Sequence, residues 1–189
     1  MPWPADTCPA HVPLHVIRRG AGRAECFFGE RDRVAFLRWL ARYAARFECS
    51  VHAYVLMGNH VHLLATAAGA GGIAGLLDRL CARHDRYAGE RLGRACRLWE
   101  EGFEASAIHV RRHLWACMRY IELNPVRARL VRHPGAYRWS SYGANALGSE
   151  DALVTPHAFY CALGRSAETR REAYRRSFGA AASGRPQRS

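Results

Sequence analysis

Residues 50–66 constrain the fold more than any other stretch: SVHAYVLM, the pair Gly58-Asn59, then HVHLLAT. Two runs of strand-favouring residues joined by a two-residue turn pair read as a β-hairpin, which commits this part of the chain to an antiparallel sheet. Side chains alternate along a strand, so His60 and His62 share one face while Val61 and Leu63 take the other. If helices cover the Val61/Leu63 face, both imidazoles sit on the opposite, open face, bordered by Leu64. Two neutral imidazoles about 7 Å apart along a strand can converge on one metal ion. Two partly exposed histidines bonded to backbone or water would give the same pattern.

The flanking segments supply the rest of the sheet and its cover. PLHVIRR, residues 13–19, reads as a strand ending at the turn Gly20-Ala21-Gly22. Val34, Phe36, Leu37, Leu40, Tyr43 and Ala44 recur at helical spacing between residues 30 and 47, and Leu76, Leu77, Leu80, Cys81, His84 and Tyr87 do so between 73 and 91. A strand over 103–110 and a third helix over 111–123 follow. Asn124-Pro125 is expected to interrupt that helix, with Asn124 as N-cap of a short successor, PVRARLV. The order strand, helix, hairpin, helix, strand, helix predicts an α+β fold: an antiparallel sheet with helices packed on one face.

Charge narrows the class of partner. The formal net charge is +12, and every basic residue is arginine. Residues 105–149 carry seven arginines against one acid and so hold half of the net charge, which points to a polyanion such as nucleic acid. The odd count of seven cysteines, without a repeated spacing, argues against a disulfide framework and for a reducing cytoplasm. Cys49-x2-His52, Cys81-x2-His84 and the ladder His109, His113, Cys117 are incomplete zinc patterns. No uninterrupted apolar run is long enough to span a bilayer.

Within the basic stretch, Tyr120 and Asn124 lie four residues apart on one helical face, among Arg119, Arg127, Arg129 and Arg132. Such arginines fit a phosphate-lined groove or a solvated helix face. A tyrosine nucleophile must lose its proton, which at neutral pH costs roughly 4 kcal/mol for an unperturbed phenol. Nearby arginines, or a metal on the target phosphate, would supply part of that. The covalent intermediate would retain the energy of the broken phosphodiester, and the absence of any GxxxxGK[ST] motif agrees with chemistry that needs no nucleotide cofactor.

AYVLMGNHVHLL (53–64), YIELNPVRARLV (120–131) and YRWSSY (137–142), in this order and spacing, resemble the REP-associated tyrosine transposases, relatives of the single-tyrosine HUH insertion-sequence transposases. The resemblance implies a ferredoxin-like sheet over residues 12–145; beyond it a basic helical extension at 146–179 is expected, and the small, polar, basic composition of 180–189 predicts a disordered tail. The resemblance further implies cleavage and rejoining of single-stranded DNA at hairpin-forming REP-type palindromes through a 5′-phosphotyrosine. Tyr120 would be the nucleophile, with His60, His62 and Asn124 holding Mg²⁺ or Mn²⁺. General ligand chemistry instead ranks zinc or manganese above magnesium for two imidazoles and an amide.

Arg119, Arg127, Arg129 and Arg132 are expected to contact DNA, and Trp139 and Tyr142 to stack on unpaired bases or pack in the core. A cytoplasmic, nucleoid-associated protein is expected, a monomer with a dimer as the alternative, with residues 161–189 as a flexible basic arm. The chain departs from the family pattern at Gly58, Arg129 and Arg138, and at Glu101, Gly102 and Glu104, which leave the loop 98–106 acidic. Beside the strand transferase, two readings stay open: a catalytically silent binder of structured nucleic acid, and a metal-dependent hydrolase with water as nucleophile.

Overall fold

The computed structural model describes residues 8–182. Four strands, β1 (Leu14–Arg19), β2 (Cys49–Leu56), β3 (His60–Ala67) and β4 (Glu104–Ala107), form one sheet in the order β2-β3-β1-β4, antiparallel throughout. Helices α1 (Glu30–Arg46) and α2 (Gly72–Leu92) make the two crossovers. This β-α-β-β-α-β order and strand arrangement is the ferredoxin-like plan. Helix α3 (Arg111–Arg127) follows the sheet, and the chain ends in a short α4 (Ala158–Cys161) and in α5 (Ala167–Ala182).

The sheet is covered on both faces. Leu14, Val16, Tyr54, Leu56, Val61 and Leu63 bury one face against Phe36 and Leu40 of α1 and Ile73, Leu76, Leu77 and Leu80 of α2. On the other face, Ala53, Val55 and Leu64 meet Leu114, Met118 and Ile121 of α3, with Tyr142, Tyr160 and Tyr174 behind them. A register shift between Val51 and Ala53 hands β2 from one alternation to the other, so that Val51 belongs to the first cluster and Ala53 to the second. The histidine face is therefore not open: α3 packs on it, and His62 is only 2 % exposed.

The Gly58-Asn59 turn forms as expected, with Met57 N donating to His60 O at 2.9 Å. Neither turn residue takes a positive φ. The turn is instead held from outside: Gly58 O accepts from Cys26 N and Asn59 O from Gly20 N. Gly20 has a steric reason to be glycine, because a Cβ there would collide with the carbonyl oxygen of Ala24.

Three further expectations need correction. Pro125 does not break the helix: α3 runs through it to Arg127, and Asn124 is an interior residue rather than an N-cap. Proline removes the N–H that would bond Ile121 O, and Asn124 Nδ2 covers that site, donating to Tyr120 O at 2.9 Å and Ile121 O at 3.4 Å. The segment from 161 is not a flexible arm over its described length, because Tyr174 of α5 is fully buried in the second cluster. Trp139 and Tyr142 are 9 % and 2 % exposed, so neither ring offers a free face to a base. Their motif closes the edge of β2, with Trp139 O accepting from Leu56 N and Ser141 N donating to Tyr54 O. Beyond Ala182 the expected disordered tail lies outside the described residues.

Candidate active site

Strand alternation and register set out the site. Arg19 pairs with His60, Ile17 with His62 and His15 with Leu64, so β1 contributes His15, Ile17 and Arg19 to the face that carries the histidine pair. Beyond β1, Glu104 of β4 pairs with Ile17 on that same face and reaches Arg19 as an ion pair at 3.1 Å.

The rings of His60 and His62 lie 4.9 Å apart, nearly perpendicular at 79°. Asn59 fixes the first of them. Its Nδ2 donates to Arg23 O at 3.0 Å, which turns its Oδ1 toward His60 Nδ1 at 2.7 Å. An amide oxygen only accepts, so His60 carries its proton on Nδ1 and presents a lone pair at Nε2. His62 Nδ1 meets His15 Nε2 at 3.0 Å, with the two rings nearly coplanar at 17° and their centroids 5.2 Å apart. Burial lowers the pKa of all three imidazoles, that of His62 to about 3 with His15, His60 and Arg19 adding to the effect. At neutral pH the group is uncharged, as ligand nitrogens must be.

Tyr120 on α3 faces this group. Its ring stands edge-on to His62 at 5.7 Å and to His15 at 5.8 Å, and it is 38 % exposed. The Arg127 guanidinium lies over the ring at 4.7 Å from its centroid. Tyr120, Arg119 and Arg127 line a cavity of about 470 Å³ together with His15, Ile108, Ala116, Cys117 and Leu123.

Of the residues singled out in the sequence, His60, His62, Tyr120 and Arg127 thus come together. Asn124 lies one turn beyond Tyr120 with its amide nitrogen on the helix backbone. Arg119 borders the cavity but donates to Ser177 O on α5 at 2.6 Å. Arg129 and Arg132 are exposed just past α3.

Sequence reasoning missed His15 and the capping role of Asn59. The alternation in PLHVIRR places His15 and Arg19 on one face, but only strand register brings that face beside His62. The zinc patterns do not assemble. His52 bonds Thr155 O and Thr66 Oγ1, His84 sits among Phe27, Phe36 and Trp99, and no group of three or more His, Cys, Asp or Glu placed to hold a metal occurs among the described residues. The histidine pair offers two nitrogen donors, which suits an open site completed by an amide, phosphate oxygens and water.

A family model described as transposase, IS200-like, matches residues 10–124, a span that takes in His15, the histidine pair, Tyr120 and Asn124. No curated protein matches. Among solved structures, a REP-associated tyrosine transposase bound to a REP hairpin is similar in fold, with a TM-score of 0.64 at 14 % identity over 83 % of this chain and 93 % of that one. A ferredoxin-like sheet with a histidine pair on one strand, a tyrosine helix laid across it, and a family match running through both make this chain a member of the IS200-like, single-tyrosine HUH transposase family.

Proposed function

We propose that the protein cleaves and rejoins single-stranded DNA beside hairpins of the REP type, with Tyr120 as nucleophile. The observation that carries this reading is the Tyr120 ring edge-on to His62 at 5.7 Å, on a sheet face where neutral imidazoles present ligand nitrogens. The Tyr120 oxygen forms a bond to the scissile phosphorus, the bond to the 3′ oxygen breaks, and that oxygen leaves with a proton as a free 3′ hydroxyl. Rejoining is the reverse, with a 3′ hydroxyl displacing the tyrosine. His60 and His62, with Asn124, would hold Mg²⁺ or Mn²⁺, which when bound polarises the scissile phosphate.

Arg127 and Arg119 flank the cavity beside Tyr120, and Arg129 and Arg132 extend the positive surface past α3. This distribution supports a phosphate track leading to the tyrosine. Family membership supports the transposase class, and the hairpin held by the structurally similar transposase supports the choice of substrate. Residues 12–145 form the catalytic unit in this reading and 146–179 its support, and the protein acts as a monomer on the cell's own DNA, in the cytoplasm at the nucleoid. No helix among the described residues is long and apolar enough to cross a membrane.

The test uses 3′-labelled oligonucleotides carrying hairpins, incubated with the protein and Mn²⁺ and run on a denaturing gel. A labelled band at the protein's mass that disappears in Tyr120→Phe, while hairpin binding persists, is the expected result. A second reading, a silent hairpin binder, draws on the ion pair between Glu104 and Arg19, which takes one cation off the site face. Hairpin binding with no adduct in either Mg²⁺ or Mn²⁺ would favour it.

A further inference from the structure

His60 and His62 each meet one partner through Nδ1, and the two partners come from different places in the fold. For His60 the partner is Asn59 in the adjoining turn, at 2.7 Å. For His62 it is His15 of β1, at 3.0 Å, forty-seven residues earlier in the chain.

Resting on the reading of the histidine pair as a metal site, we infer that His15 is a positioning residue for His62. Its Nε2 accepts the Nδ1 proton of His62 and so keeps the Nε2 lone pair of His62 free for a divalent cation. The direction of this one bond decides whether His62 is a ligand. If His15 donated instead, the proton of a neutral His62 would sit on Nε2 and no lone pair would face a metal.

One observation favours His15 as acceptor, and a second fixes the plane of the ring it serves. First, Asn59 imposes the same tautomer on His60, so both members of the pair then present equivalent nitrogens. Second, the rings of His15 and His62 lie nearly coplanar at 17°, end to end about the 3.0 Å contact with centroids 5.2 Å apart, so His15 holds the plane of the imidazole as well as its tautomer. A hydrogen-bond partner behind a ligand histidine orients the ring and raises its basicity, and removing one typically costs about 10- to 100-fold in metal affinity. His15 also stands edge-on to Tyr120 at 5.8 Å, so one side chain touches both the ligand and the nucleophile without being either.

The experiment is calorimetric titration of the full-length protein with MnCl₂ alone, in parallel with detection of free Mn²⁺ by electron paramagnetic resonance. His60→Ala serves as the variant lacking a ligand. His15→Phe keeps an aromatic ring but has no acceptor, whereas His15→Gln restores an acceptor without a ring. We expect His15→Phe to bind Mn²⁺ about 10- to 100-fold more weakly than wild type, and His15→Gln to recover at least half of that loss on a logarithmic scale. Thermal melts check that each variant is folded.

Wild-type affinity in His15→Phe, alongside weakened His60→Ala, overturns the role of His15 and leaves the metal site standing. Identical titrations of wild type and His60→Ala overturn the metal site and this inference with it. Should His15→Phe fail to fold, ¹⁵N spectra of wild-type histidines decide: an Nδ1-protonated His62 is expected, and an Nε2-protonated one overturns the assignment.

Discussion

At the residue scale, the most consequential side chain outside the site face is Glu122. It is fully buried, with Ser141 Oγ, Asn145 Nδ2 and the Tyr174 hydroxyl all donating to its carboxyl group. Burial raises its pKa to about 7 against those three bonds, which pull the other way. The unfolded carboxyl releases its proton near pH 4.3, so between there and about pH 7 the folded chain binds more protons, and stability falls as pH rises. Urea midpoints at pH 5 and pH 8 are therefore expected to drop more for wild type than for Glu122→Gln, and parallel drops would contradict the assignment.

His84 acts in the opposite direction. Burial among Phe27, Phe36 and Trp99 lowers its pKa to about 4, with Asp32 opposing. The unfolded imidazole takes up its proton below about pH 6.5, so the stability this residue holds at neutral pH is lost as pH falls toward 4. His84→Phe should lose less stability than wild type on going from pH 7 to pH 5, whatever its absolute stability.

At the scale of elements, α3 is where sequence and structure part most. Periodicity made α1 and α2 legible, and period-two alternation placed His60 and His62 together opposite Val61 and Leu63. The rule that disfavours helix before proline misjudged Asn124, because its own side chain bonds the carbonyl that Pro125 leaves without a donor. Trp139 and Tyr142 could not be assigned to core or surface until their segment was seen bonded along the edge of β2.

Likewise, the arginines after residue 161 read as an arm for DNA, whereas Tyr174 in the same helix anchors α5 to Glu122. Tyr174→Phe removes one of three donors from a buried carboxyl and is expected to cost about 1–2 kcal/mol by urea unfolding. An unchanged midpoint would place α5 outside the cooperative fold. The turn at Gly58 should respond the other way. Its φ is not positive, and an added Cβ would meet nothing closer than the Glu25 carboxyl at 3.4 Å. Gly58→Ala should therefore stabilise the protein by about 0.4–1 kcal/mol through the unfolded state.

For the whole molecule, a net charge of +12 makes salt the natural probe of binding. Hairpin affinity should fall linearly with salt on logarithmic axes, by roughly 0.7 for each phosphate contact to a single strand. Replacing Arg127, Arg129 and Arg132 together with glutamine should lower that slope by roughly 2, and an unaltered slope would move the phosphate track elsewhere. Strand register was the part of the site least legible from the chain, since His15 and His62 are distant in sequence and become neighbours only once β1 pairs with β3.

Tyr120 and Glu122 are two positions apart on α3, roughly 200° around the helix, one turned to the histidine face and the other locked into the C-terminal layer. In the monomer proposed above, each copy would use its own nucleophile. Under the proposed chemistry this sets a stoichiometry: one polypeptide can hold one broken DNA end at a time. Excising a segment, which leaves two such ends, then calls for two polypeptides on the same strand or two successive turnovers by one.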